Sequence, residues 1–308
     1  MCMNSEKLKN FKIWEKVKKW KLWEELKSWK KWELLAVGLL GVVMIAAIVA
    51  LGSIFMEYTK GSSAYKELEA YVFLPEEQVG EPSGGEKDQG TGASQAGQEA
   101  AAGSSESVKP ASESIVHYGQ SPQVDFGALS AKNSDVVGWI YGPDTVINYP
   151  VVHGTDNEFY LTHMFDGEKN KCGSIFMDCL NAGDFSNENT ILHGHHMKNG
   201  TMFASLMKYA DQDYYDTHPV MWLVTPEKTY LMEIFTGFVT TTDSDVWQIG
   251  FVSREEYGAW LDKMAGNSAF ESGVTPQTSD RILTLSTCSY EYDDARFVVM
   301  GILREQTN

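Results

Sequence analysis

The chain has 308 residues, 43% of them apolar and 22% charged, and a formal charge of −17. That is length for one good-sized domain with appendages, and so acidic a chain excludes a nucleic-acid partner, which needs a basic footprint on the folded domain. Four cysteines imply no disulfide framework.

The charge is unevenly spread. Residues 1–33 hold ten Lys against five Glu, a surplus of +5 that leaves −22 on the remainder. Apolar side chains recur there at every third position, among them Leu8, Phe11, Trp14, Trp29 and Trp32, a period that drifts around a helix instead of holding one face. Two readings stay open for this Lys/Trp-rich tail. Its rings and ammonium groups suit an inner membrane surface, or it is a solvated, weakly helical segment. Residues 34–56 then run for 23 positions without a charge, enough at about 1.5 Å per residue to cross a hydrocarbon core of about 30 Å. They read as a transmembrane helix. A cleaved signal peptide competes, but its apolar core is usually only about 7–15 residues long. Lysines crowd one flank and Glu57 stands on the other, so the positive-inside rule leaves residues 1–33 in the cytoplasm and puts the rest of the chain outside the cell, tied to membrane lipid by its anchor.

Residues 57–114 divide in two. Ala64, Leu68, Tyr71 and Val72 have helical spacing and predict a short juxtamembrane helix. Residues 75–114 contain no aromatic side chain and are built from Gly, Ser, Ala, Gln, Glu and Pro. Such a segment cannot bury enough apolar surface to fold and reads as a disordered linker.

From 115 to 308 the composition is globular. Eight short apolar runs, at 137–141, 147–152, 174–178, 190–193, 220–225, 229–238, 282–288 and 297–303, predict a mainly β fold, an eight-stranded and closed or nearly closed β-barrel. A few peripheral helices interrupt it, at 125–132, at 156–164, around Met202, Phe203, Leu206 and Met207, and at 253–264. The last is the best marked: Ser253 with Glu256 makes a capping box, and Tyr257, Trp260, Leu261 and Met264 share one face.

Two places in this domain carry reactive side chains. In the seventh run Ile282, Thr284, Ser286 and Cys288 share a face by period 2, which leaves a thiol at the strand's last position. Arg296 opens the eighth run across a short acidic loop. This is either a structural Cys beside an edge Arg or the start of a nucleophilic site. Cys172 and Cys179 flank another apolar run and read as small, partly buried thiols whose pairing stays open. The second place is His193, His195 and His196, directly after the run 190–192. Three His in four residues suggest a metal, yet no H-E-x-x-H or paired C-x-x-C occurs and Met197 and Lys198 come next, so neither metal nor cofactor is expected. Structural histidines are one reading. The other pairs an imidazole with Cys288, where it would favour the thiolate and hand a proton to a leaving amine. Arg296 stays protonated and can only hydrogen-bond a carbonyl or a developing oxyanion. Cys, His and Arg are together the parts of an acyl-transfer site.

The sequence Thr284-Leu285-Ser286-Thr287-Cys288 with a following Arg296, and the Gly-His within Leu192-His193-Gly194-His195-His196, resemble the signature of the sortases. Gly138-Trp139-Ile140, Ile147 to Val152, Gly173 to Asp178, and Gly194 to Met197 with Gly200 to Phe203 resemble class B sortases in particular, over about residues 115–305. The resemblance implies a sortase-type barrel with a long helix between the sixth and seventh strands, here 253–264, and a cysteine transpeptidase on the outer face of a Gram-positive membrane. It implies Cys288 as nucleophile, His195 as general acid and base because the family's His directly follows a Gly, and Arg296 as substrate and oxyanion contact. His193 and His196 would then have supporting or structural roles. By family position the groove walls are residues 240–246, the 253–264 helix and Ser286–Thr287, which makes Thr242, Tyr257, Ser286 and Thr287 substrate contacts. The implied partners are surface proteins with a C-terminal Pro-x-Thr type sorting motif, cleaved through a thioacyl enzyme, and a peptidoglycan or pilin amine as acceptor. One departure stands out: Ser289 and Tyr290 occupy positions where some members carry acidic residues.

Overall fold

The structure, a computed structural model, describes residues 30–74, 120–289, 291 and 294–307. Most of the Lys/Trp-rich tail and the whole of the 75–114 linker lie outside the described residues. The chain falls into two units, Met1–Lys60 and Gly61–Asn308.

The first unit contains most of the helix Lys31–Leu68. Leu39, Leu40, Val43, Ile45 and Ile48 are all exposed on it, and it is the one helix among the described residues long and apolar enough to cross a membrane, with a mean hydropathy of 2.7 over an 18-residue stretch. The separate juxtamembrane helix expected after residue 56 is instead a direct continuation of this helix. No proline interrupts residues 57–68, and the unfavourable Gly61 is held by packing: a Cβ there would lie 2.7 Å from Cys172 Sγ. One turn on, the buried Tyr65 hydroxyl donates to Gly173 O at 2.6 Å. A 3-10 turn, Glu69–Tyr71, and a two-residue strand, β1 (Val72–Phe73), follow. The latter pairs antiparallel with β2 (Gln123–Val124), a ladder too short to leave a periodic signal.

The remaining strands are β3 (Val136–Tyr141), β4 (Asn148–His153), β5 (Ile175–Met177), β6 (Asn189–His193), β7 (Val220–Val224), β8 (Thr229–Thr241), β9 (Ile282–Cys288) and β10 (Ala295–Gln306). They close into a barrel in the order β10-β8-β7-β3-β4-β5-β6-β9. Closure leaves no free edge to template aggregation. The β4–β5 and β6–β9 pairs are parallel and the rest antiparallel. Trp139, Ile140, Val151, Met177, Leu192, Leu223, Ile234, Leu285 and Val299 are fully buried inside or against the sheet. β8 and β10 run longer than their apolar patterns suggest, since each continues to pair with the other through Thr240 and Thr241 at one end and Arg304 to Gln306 at the other. Ladder hydrogen bonds carry the strands past the point where side-chain periodicity stops.

The helix Arg254–Gly266 begins as read: Ser253 Oγ accepts from Glu256 N at 3.1 Å. The reciprocal bond differs by one residue, because the Glu256 carboxylate takes the N–H of Val252 at 2.8 Å. Tyr257, Trp260, Leu261 and Met264 are all buried against Phe235, Phe238, Val298 and Met300. The helix around Phe203 and Leu206 is a 3-10 helix, Phe203–Ala210. Gln212–Thr217, capped by Asp211, and the 3-10 turn Asp245–Trp247 carry too few apolar residues to be read from pattern.

Candidate active site

Cys288 is the last residue of β9, and the antiparallel register places Arg296 of β10 directly opposite it. Residues so paired have Cα atoms about 4.5–5.5 Å apart, so thiol and guanidinium stand at one rung of one hairpin. Arg296 also donates to the Ala295 carbonyl at 3.0 Å. The parallel β6–β9 ladder then brings the histidines to the same rim. His193 pairs with Ser286, and Gly194 N donates to Ser286 O at 3.0 Å.

What happens next depends on Gly194 having no side chain. A Cβ there would sit 2.5 Å from Ile175 Cδ1 and 2.6 Å from Phe203 Cδ2, too close for any other residue without a shift of the neighbours. The chain threads between these two side chains and delivers His195. Phe203 N donates to His195 O at 3.0 Å, His196 bridges to Met202, and Met202, at φ +58, gives its N–H to the Tyr149 hydroxyl at 3.0 Å. The loop is therefore pinned on both sides of the imidazole.

The three histidines have three different partners. His193 Nε2 lies 3.0 Å from Asp178 Oδ2. His195 Nε2 lies 2.6 Å from the carbonyl of Leu161. His196 Nδ1 lies 3.0 Å from the carbonyl of Cys288; since a carbonyl only accepts, that ring nitrogen carries a proton and clamps the backbone at the thiol. Asp178 also accepts from Asn157 Nδ2 at 2.8 Å and Leu180 N at 3.0 Å. Burial pushes its carboxyl up, but His193, the Leu180 N–H and Asn157 outweigh burial and hold it below the usual carboxylate range.

Cys288, His195 and Arg296 line a single cavity of about 280 Å³, and so do Thr242, Ser286 and Thr287. Tyr257 does not. It is 0% exposed, and its hydroxyl lies 3.1 Å from Glu188 O and 2.9 Å from Asp280 O, while its ring packs against Phe251 and Trp260. Burial pushes its phenol well up. The reason is the helical stripe itself: position 257 belongs to the face that faces the barrel, so a wall residue on that helix would have to come from another face.

The cavity wall also contains Asn157, Leu161, Phe176, Asp178 and Trp247, none of which the sequence reading singled out, together with His193. Asp178 had a signal, an acidic residue closing an apolar run; Trp247, in an acidic loop, had a weaker one. Asn157 and Leu161 had none. Two hydroxyls flank the thiol in the chain: Thr287 Oγ1 and Ser289 Oγ are buried without a hydrogen-bond partner among the described residues, a costly state for a polar atom. Tyr290 lies outside the described residues. Cys172, Cys179 and Cys288 form no disulfide.

Comparison with known proteins bears on the family and the fold. A family model described as "Sortase domain" matches residues 140–304. Sortase B of Listeria monocytogenes is 40% identical over 177 residues, covering 57% of this chain and 72% of that protein. A Staphylococcus aureus sortase B–substrate complex superposes with a TM-score of 0.57 at 36% identity, over 59% of this chain and 85% of that one. The crystal structure of a sortase B complexed with triglycine gives a TM-score of 0.56 at 36% identity, over 59% and 86%.

Proposed function

The chain belongs to the sortase family as a class B sortase, a transpeptidase, and we propose that Cys288, His195 and Arg296 carry its reaction, the transfer of a protein bearing a C-terminal Pro-x-Thr type sorting motif onto an amine. The observation that supports this reading most is that sulfur, imidazole and guanidinium, from three separate places in the sequence, share one cavity.

The chemistry follows from those groups. The Cys288 thiolate attacks the carbonyl of the motif's Thr. Arg296, one rung away on β10, meets the oxyanion that forms, a charge-assisted contact that strengthens as negative charge develops. When the intermediate collapses the C–N bond breaks, His195 gives its proton to the leaving amine, and a thioacyl enzyme remains. The acceptor amine then surrenders a proton to His195, attacks the thioester carbonyl and releases the thiolate, which restores the starting state with one amide broken and one made. Water in place of the amine would give hydrolysis. Thr242, Ser286 and Thr287 on the cavity lining support contacts to the bound motif. The relative crystallised with triglycine supports an amine acceptor, which in this chain we assign to the cell wall, a peptidoglycan amine, or to a pilin lysine.

The apolar helix and the lysines before it support a single-pass anchor with residues 1–33 in the cytoplasm, residues 75–114 as tether and the catalytic domain outside the cell. The test is mass spectrometry of the full chain with a sorting-motif peptide and an amine. An acyl adduct on Cys288 that the amine discharges, absent in Cys288→Ala, is the expected result. Adduct formation in Cys288→Ala, or none in the unmodified chain, overturns the assignment.

A further inference from the structure

The one-turn helix Phe159–Thr162 is too short to satisfy its own backbone, since the last carbonyls of any helix have no partner within it. All four of its carbonyls are nevertheless used, each by a different group. Phe159 O is within 2.8 Å of His163 Nδ1. Tyr160 O accepts from Ser174 N and Thr162 O from Asn170 N, both at 2.9 Å. Leu161 O takes the ring of His195, at 2.6 Å. The turn is held at its other end by Asp156, whose Oδ1 accepts from Glu158 N and Phe159 N at 2.8 Å each. It rests on Gly173, which at φ +55 brings its backbone so close that a Cβ would lie 2.6 Å from Tyr160 O and 2.7 Å from Leu161 O.

From this arrangement we propose that the Phe159–Thr162 turn is a positioning element of the catalytic centre: the Leu161 carbonyl fixes His195 as its Nε2–H tautomer and makes Nδ1 the nitrogen through which protons pass. A carbonyl oxygen has no proton to give, so at 2.6 Å the hydrogen between the two atoms belongs to Nε2. In the neutral ring Nδ1 then holds the lone pair that takes the Cys288 proton; once it has done so the ring is an imidazolium, and the Nδ1 proton is the one delivered to the leaving amine. The carbonyl also orients the ring, the task that a carboxylate performs in Ser-His-Asp sites, with main chain substituting for a side chain. This inference rests on the assignment of His195 as acid and base given above.

The experiment is a long-range ¹H–¹⁵N correlation spectrum of the full chain in detergent, labelled with ¹⁵N-histidine, with His195→Gln to assign its signals. The expected pattern is a single Nε2–H tautomer for His195 in the neutral form. An Nδ1–H tautomer, or a mixture of the two, overturns the proposal. The companion variant is Gly173→Ala, whose Cβ must displace the Leu161 acceptor. It should lower kcat by about 100-fold, the scale expected for a misplacement of about 1 Å, with KM for the sorting peptide nearly unchanged, and it should turn the single His195 tautomer into a mixture. Unchanged kcat and an unchanged tautomer in a folded Gly173→Ala protein count against it. The two ideas separate cleanly: a missing Cys288 adduct removes the reading of the site, whereas a normal adduct with the opposite His195 tautomer removes only this one.

Discussion

Replacing Gly194 with Ala tests how the fold delivers its imidazole. Carbon atoms in contact sit about 3.5–4.0 Å apart, and the new methyl would lie 2.5 Å from Ile175 Cδ1 and 2.6 and 2.8 Å from Phe203 Cδ2 and Cγ, so relief requires roughly 1 Å of movement. Ile175 presents the end of a flexible side chain and can swing aside. Phe203 presents a ring, and its N–H holds His195 O, so shifting it shifts the histidine. Overpacking of this kind costs about 1–3 kcal/mol, which for a domain of this size lowers Tm by about 2–12 °C and leaves the protein folded at 25 °C, since total stabilities run to about 5–15 kcal/mol. Catalysis should suffer more, because a misplacement of about 1 Å costs about 100-fold in rate. The assay is peptide-to-amine transfer at saturating peptide, followed by chromatography, beside a thermal melt of the same preparation. Wild-type kcat in a variant with a lowered Tm would refute the claim that this seat places His195; wild-type values of both would refute the overlap itself.

Two further perturbations address the wall and the helix. Asp178→Asn should destabilise the protein more at pH 7 than at pH 3: the folded carboxyl titrates below its unfolded value of about 3.9, so its contribution is full above that value and shrinks as pH falls toward and through the depressed one. Urea midpoints at the two pH values measure this, and an equal deficit at both would contradict it. Tyr257→Phe removes the hydroxyl that lies between Glu188 O and Asp280 O and should cost about 1–2 kcal/mol of stability while KM for a sorting peptide stays unchanged. A raised KM would return Tyr257 to the substrate groove.

Much of this architecture is legible from residue pattern, and its limits are physical. The strands could be found because each is a short apolar or β-branched run closed by turn residues, and β9 even has its predicted ends. The helix after Ser253 announces itself by its cap and its stripe. That same stripe places Tyr257 in the core, where it is found; it was family position that suggested a groove wall. β1 with β2 and the 3-10 turn Asp245–Trp247 escape notice because two or three residues hold less than one helical turn and at most one strand repeat, whereas the turn Phe159–Thr162 falls inside the helix expected over 156–164. The cavity wall was harder still. Asn157 and Leu161 act through a side-chain amide and a main-chain carbonyl, and what brings them to the thiol is the parallel β4–β5 crossover, information that resides in pairing and not in either residue's neighbours.

The parallel β6–β9 seam has a bearing on the order in which the site is put together. Neither strand can find the other until the intervening residues have wound around β7, β8 and the Ser253-capped helix, and Arg296 joins only when β10 docks on both β8 and β9. Long-range closures of this sort come late and slowly in folding. The rim therefore holds its histidines before it holds the thiol in place, because Cys288 and Arg296 lie on the last two strands to be added.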